Sequence, residues 1–507
     1  MFKISYLKIG HKRSIIKTVM LFGLMLLSCS CNKYLDLKPQ DGITRDSFWK
    51  TKEQVRAAVF GCYASLLGSA AGERPLTDLL FVWGEARADM VAPGPGISQD
   101  ESNIMTNNIL QTNPFSNWGP VYTIINYCNT VIDNAPGVMQ YDNTFTQTQL
   151  NAYLSEALTL RALMYFYLVR TFRDVPLKIK STASDADLIQ LAKSPAKDVL
   201  AQIMADLKKA EATAVFSYGD NASNKGRITK YTVYALEADV YLWMDDYTNC
   251  IAACDQIINS GQYGLVSGDG GWFNTLYYNG NSNEGIFEFQ FDTQKLNPFY
   301  AMFLTTRARY VVGPDVIDNV FGLDFVDDRN RDIRGQDASV NVSNGAIFKY
   351  VGATANTSRT LETSYAHWFA YRYADILLMK AEACINTNRG QEALDIINQI
   401  RSRAKAISVT SQSPSVNDAR SLTDYLLAER AREFAYEGKR WYDILRNAKR
   451  NNYERLDLIL SAAINSVPPA LQQTILTKFR DVNNHYLPIF QDELRTDPNL
   501  EQNPYYK

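Results

Sequence analysis

One pattern of small and apolar residues occurs twice, 143 positions apart, and it confines the chain to a helical scaffold. Ala235, Leu236, Ala238, Tyr241 and Leu242 fall on Leu378, Met379, Ala381, Cys384 and Ile385. Cys250, Ile251, Cys254 and Ile257 fall on Ala393, Leu394, Ile397 and Ile400. Each copy reads as a helix, a tight polar turn (Asp245-Asp246, and residues 386–390) and a second helix. Such a hairpin leaves an apolar face that a neighbouring hairpin must cover. Two unrelated antiparallel helix pairs would fit the same residues, but a tetratricopeptide-like stack accounts for the shared offset.

Other segments read the same way. Thr51 is placed to cap a helix, with Gln54 three residues on and Val55, Val59, Cys62 and Leu66 at helical spacing. Further helices are expected near 121–132, over 150–172 and over 195–212. The one at 150–172 stops before Asp174-Val175-Pro176, since proline cannot continue a helix. Two stretches differ. Residues 70–120 and 260–365 are rich in Gly, Asn and aromatics, and both are too long for plain connections. Within the second, Gly285-Ile-Phe-Glu-Phe-Gln-Phe-Asp292 alternates as a strand does, and 346–351 is a weaker strand.

The first 30 residues read as an address. Lys3, Lys8, Lys12, Arg13 and Lys17 precede an apolar run from Thr18 to Leu27, ten residues long. Crossing a bilayer takes about 20 residues, so the run reads as an export signal. It ends in Leu26-Leu27-Ser28-Cys29-Ser30-Cys31, which resembles a bacterial lipobox. Lipobox spacing favours Cys29 as the lipidated residue, and Cys31 is the alternative. Loss of the five leader cations would take the net charge from −2 to −7. The other cysteines, Cys62, Cys128, Cys250, Cys254 and Cys384, have no CxxC spacing and read as buried free thiols.

Several activities lack material. Lys plus Arg is 52 against 54 acids, so no basic excess points to nucleic acid. Beyond the leader only His367 and His485 remain, too few for a histidine metal cluster or a Ser-His-Asp triad. Asp324, Asp327, Asp328 and Asp332 are the densest acidic group, and Arg329, Arg331 and Arg334 stand ready to pair with them. Glu429, Arg430, Glu433, Glu437, Arg440 and Asp443 fall at helical spacing. Density of this kind looks catalytic.

In its order of motifs the whole chain resembles the SusD/RagB family of outer-membrane lipoproteins. The resemblance is carried by Cys31-Asn-Lys-Tyr-Leu-Asp-Leu-Lys-Pro39, by Asp46-Ser-Phe-Trp49 and by the helix from Ala157 to Arg170 with its Asp174-Val-Pro-Leu177 exit. Tyr371-Arg-Tyr-Ala-Asp375, Asn398-Gln-Ile-Arg-Ser-Arg-Ala404 and Glu437-Gly-Lys-Arg-Trp-Tyr-Asp443 extend it to the C-terminal part. One departure is Arg173, where the family usually has glycine. The resemblance implies a leader of residues 1–30 and a single domain over 31–507, mainly α, with helical hairpins, long irregular insertions and minor strand. It makes Glu429, Arg430, Glu433, Glu437, Arg440 and Asp443 a structural network around Trp441, and it also implies capture of extracellular oligosaccharides, or of peptides in some members. Delivery would be to a SusC-like TonB-dependent transporter, with no catalysis and no cofactor.

The family's glycan contacts vary, so its motifs carry none over to this chain. Sugar rings lie on flat aromatics, and their hydroxyls are met by amides and guanidinium groups. On that chemistry the insertions offer Trp272, Tyr300 and Tyr310, then Trp118 and Trp83, with Arg307, Arg309 and Asn107 as polar partners. For each ring the competing reading is burial. That reading weighs most on Trp83, beside Leu79-Leu80-Phe81-Val82.

Overall fold

The helical expectation holds. The computed structural model describes residues 48–68, 74–182, 184, 187–322, 331–354, 357–406 and 414–507. Cys29, Cys31 and Asp324 to Arg329 lie outside that set. The first part comprises α1 (Lys52–Leu66), α2 (Leu76–Glu85), β1 (Val91–Pro93), α3 (Gln99–Met105), α4 (Gly119–Val138), α5 (Gln147–Phe172), α6 (Ala196–Thr213), α7 (Asn221–Gly226), α8 (Lys230–Trp243) and α9 (Tyr247–Ile258). Short elements follow: β2 (Gly285–Phe289), α10 (Phe299–Phe303), β3 (Tyr310–Val312), β4 (Val340–Asn341), β5 (Ala346–Ile347), β6 (Gly352–Thr354), β7 (Thr357–Ser358) and β8 (Trp368–Arg372). The chain closes with α11 (Tyr373–Ile385), α12 (Gly390–Arg403), α13 (Ala419–Glu433), α14 (Arg440–Tyr453), α15 (Leu456–Ser466), α16 (Pro469–Phe479) and α17 (Gln491–Thr496).

Local chemistry starts the helices. Thr51, Thr146 and Thr229 cap α1, α5 and α8 with reciprocal bonds to Gln54, Gln149 and Thr232. The two repeat copies are the hairpins α8–α9 and α11–α12, and α9 packs directly on α11. The stack continues on the other side through α6, α5 and α4. The five described cysteines are buried free thiols.

The strands depart from expectation in extent. β2 stops at Phe289, and it is buried on both faces, paired antiparallel with β8. The stretch 346–351 is extended only over Ala346–Ile347. Phe348 then turns the chain, its carbonyl accepting from Val351 and Gly352. The aromatic alternation therefore records two buried faces, not one.

Arg173 has φ +69° and ψ −81°. The Asp174 N–H donates to the Phe172 carbonyl at 3.1 Å, which makes Arg173 the centre of a γ-turn of the rare positive-φ kind. A residue with a Cβ is strained there, which explains the glycine usual at this position in the resembling family. Arg173 partly compensates by bonding Asp174 (3.2 Å) and Asn483 (3.1 Å).

The C-terminal signature closes on a buried ion network. Arg372 is fully buried and donates to Glu284 (2.6 Å), Glu433 (2.6 Å) and Glu437 (2.9 Å). Arg334 joins Asp332, Glu429 and Glu433, and Arg403 joins Glu284 and Glu433. Burial opposes the charge of Glu437, but Arg372 and Lys349 outweigh it and hold the carboxyl down at about 2. Glu85 is the opposite case. Its Oε1 accepts from the Gly438 N–H (2.9 Å), its Oε2 has no partner, and burial pushes the carboxyl up to about 8.

Two outcomes are expected. Arg173→Gly should be more stable than Arg173→Ala by about 1 kcal/mol in urea unfolding, because both lose the side chain and only glycine relieves the turn. Equal stabilities would contradict the strain. Glu85 keeps its proton when folded and loses it near pH 4.5 when unfolded. Its contribution is therefore complete below that pH and declines as pH rises toward 8. Between pH 6 and 8 the wild type should lose about 1–2 kcal/mol relative to Glu85→Gln. Parallel pH profiles would refute the buried neutral carboxyl.

Candidate functional site

The structure corrects most of the expected ligand-facing residues. Trp83, Trp118, Trp272 and Tyr310 are each at most 2% exposed. Trp83 donates from Nε1 to the Phe115 carbonyl at 2.7 Å and meets the edge of Phe172. Trp118 packs on Phe172 and Tyr122. Trp272 sits with Leu276, Tyr277, Ala338 and Phe369. Tyr310 lies against Phe81, with ring centroids 5.3 Å apart. Trp83 and Trp118 pack on Phe172 of the scaffold helix α5, whereas Trp272 and Tyr310 share another cause. The insertions hold strands of two to five residues, and large rings supply the apolar area such short elements cannot.

Two polar expectations fail likewise. Asn107 is buried in a left-handed turn (φ +53°), its Oδ1 accepting from Arg87 at 3.2 Å. Arg309 is committed to Asp78 (2.8 and 2.9 Å) and Glu101 (2.6 Å). Burial raises the Glu101 carboxyl, yet Arg309 and Ser98 outweigh it and hold it below its ordinary value. Of the expected set, Tyr300 is half-buried and Arg307 is exposed.

Arg309 joins the two insertions to each other. β1 of the first pairs antiparallel with β3 of the second, Val91 opposite Val312 and Pro93 opposite Tyr310. The pairing continues as Gly94 and Gly96 donate to the Arg309 and Ala308 carbonyls, both at 2.9 Å. A Cβ on Gly96 would stand 1.9 Å from the Arg307 carbonyl, so only glycine permits this approach.

Beside this clip lies an open cavity of about 630 Å³. One wall is the end of α1 with Leu67 and Gly68, and the opposite wall is the start of α4, with Pro120, Thr123, Ile124 and Tyr127. Arg74 and Leu76 close one end, and Gln294 and Lys295 come from the second insertion. Tyr127 is 46% exposed. The Arg74 guanidinium lies 4.0 Å over the Phe115 ring and pairs with Asp78 at 3.0 Å, which fixes it at the rim. The volume is that of a small-ligand site, and the wall combines an exposed ring with cationic and amide donors. None of Arg74, Tyr127, Gln294 and Lys295 stands out in the sequence. The one signal is Tyr127, a large aromatic on the flank of the buried α4 stripe Val121, Ile124, Cys128 and Val131.

Residues 330–506 match the SusD family, and residues 33–242 match a SusD-like family described as "Starch-binding associating with outer membrane". The chain belongs to the SusD family. SusD-like protein P38 of Formosa agariphila is 26% identical over 485 residues, covering 85% of this chain and 92% of that protein. SusD-like protein P2 of the same organism is 26% identical over 481 residues, covering 85% and 90%. Among solved structures, a SusD superfamily protein from Bacteroides vulgatus superposes with a TM-score of 0.72 at 22% identity, over 90% of this chain and all of that one. B. fragilis NanU gives 0.68 at 22% identity, over 93% and 100%. At such identities these structures share the SusD fold, the helical hairpin scaffold described above. Among the described residues, no helix is long and apolar enough to cross a membrane.

Proposed function

We propose that this SusD family chain captures an extracellular oligosaccharide at the outer membrane and delivers it to a SusC-like TonB-dependent transporter, without catalysis. The observation that carries the reading is the open cavity of about 630 Å³ with Tyr127 exposed in its wall. An exposed tyrosine offers a flat face to a sugar ring and loses little rotamer entropy on binding. Arg74 and Gln294 supply donors for ring hydroxyls. The family description, starch-binding and associated with the outer membrane, fits the same reading. In this proposal the leader of residues 1–30 directs export, and Cys29 or Cys31 carries the lipid that holds the protein to the membrane. Tyr300 and Arg307, both at the surface, are secondary contacts.

Calorimetric titration of the purified mature protein with plant, host and microbial polysaccharides tests capture. Saturable binding to one polymer class is expected. Tyr127→Ala should weaken it about tenfold, while Trp272→Ala should instead lower the melting temperature. No saturable binding to any glycan, or binding indifferent to Tyr127→Ala, would overturn the reading in favour of peptide capture or of a lid with no affinity of its own. Anchoring is tested separately by metabolic labelling with palmitate. Label should vanish in Cys29→Ser or in Cys31→Ser, and label surviving in the double variant would refute a lipid at either position.

A further inference from the structure

Two of the buried thiols belong to the helices that form opposite walls of the large cavity. Cys62 lies in the buried stripe of α1, with Val59 and Leu66. Cys128 lies in that of α4, with Ile124 and Val131. The two helices pack on each other, and at that contact the Cys62 and Cys128 thiols are hydrogen-bonded to one another. Both residues are fully buried, and both are free thiols in this structure. Their chain neighbours line the cavity, Gly61 and Ala64 on one wall and Tyr127 on the other. Cys250 and Cys254 also share a hydrogen bond. They stand four apart on α9, however, so a bond between them would tie one helix to itself.

Contact alone does not make the first pair reactive. The hydrogen bond from Cys62, with burial, pushes the Cys128 thiol well above its ordinary value, and it is the thiolate that attacks a disulfide. The folded pair is therefore inert. The same residues come together as α1 closes on α4 during folding, while water and oxidant still reach both. A chain exported by its leader folds in a compartment where disulfides persist. A bond here would enclose residues 63–127, and with them the first insertion. Closing a long loop removes much conformational freedom from the unfolded chain.

We propose that Cys62 and Cys128 form a disulfide as the exported chain folds, joining the two walls of the cavity through α1 and α4. One cysteine, as thiolate, attacks a small disulfide oxidant and releases its first thiol. The other attacks the mixed disulfide and releases the second. The two protons and two electrons that the pair loses pass to the oxidant, which leaves as two thiols. The bond holds the end of α1 at a fixed distance from Tyr127. It rests on the export reading above and is independent of what the cavity binds.

The test maps the thiols of the protein exported with its own leader. Cells are quenched in acid, free thiols are blocked with N-ethylmaleimide in denaturant, and the peptides are read by mass spectrometry. A linked Cys62–Cys128 peptide pair is expected, with Cys250, Cys254 and Cys384 blocked. The chain from residue 32, made in a reducing cytoplasm, should have all five cysteines blocked and should gain the bond on refolding with glutathione disulfide. The linked form should melt about 5 °C above the reduced form. In Cys62→Ala and Cys128→Ala, refolding with or without the oxidant should give one melting temperature. Cys62 and Cys128 blocked in both the exported and the refolded protein overturn the disulfide. Blocked after export but linked after refolding, they overturn its formation on export. A bond from either residue to another cysteine overturns the pairing, and equal melting of linked and reduced forms overturns the tie between the walls. Each of these results leaves glycan capture standing.

Discussion

The C-terminal half depends on one buried electrostatic arrangement, the Arg372 guanidinium enclosed by Glu284, Glu433 and Glu437. These groups come from distant parts of the chain. Glu284 precedes β2, Arg372 ends β8 and opens α11, Glu433 ends α13, and Glu437 lies in the turn from α13 to α14. Arg334, Lys349 and Arg403 then tie the second insertion and α12 to the same carboxylates. Buried ion pairs contribute little net stability, because desolvation offsets the attraction. Losing one member, however, leaves an uncompensated charge in a dry interior. The network therefore fixes which elements meet more than how firmly they hold. That explains why densely charged helices such as α13 are structural here, although such density on a helix face also suits an active site.

The insertions solve a different problem. They lack long helices, so they must build a core from short strands and turns. Aromatic stacking does this. Phe299 lies on Tyr350 with centroids 4.4 Å apart and also stacks on Trp368. Phe81 bridges Phe303 and Tyr310. The abundance of tyrosine and phenylalanine, 30 and 23 residues, thus serves folding to a large extent. An aromatic-rich loop in sequence cannot be equated with an aromatic binding platform when the loop is long enough to bury its own rings.

This marks where sequence reasoning succeeds and where it stops. Helix positions, the capping box at Thr51 and the paired hairpins follow from periodicity and local hydrogen bonding, both of which are written over a few residues. The structural role of Glu429, Glu433 and Glu437 is implied by the family resemblance, but not their partners, since Arg334 comes from a turn and Arg372 from the end of β8. The fate of Tyr310 and Arg309 is not legible, because it depends on contacts across more than two hundred residues, with Phe81 and Asp78, and Trp272 likewise packs on Ala338 and Phe369 from far along the chain. Arg173 is an intermediate case. Its departure from the family's glycine is visible in the sequence, but only the γ-turn shows what the glycine avoids.

The clip between the insertions links these strands of argument. Pairing of β1 with β3, extended by Gly94 and Gly96, places the chain around Arg74 beside that around Lys295, with α4 of the scaffold as the third wall. The walls thus divide into a rigid part and a variable part. Tyr127 and Thr123 belong to a long helix packed on α5, so they cannot shift without disturbing the stack. Arg74, Gln294 and Lys295 lie outside any helix or strand, where substitution disturbs little packing. A cavity built this way can change its polar chemistry while the fold, the clip and the exposed ring stay in place. On the proposed reading, ligand specificity is encoded in residues that neither the repeat pattern nor the family motifs constrain.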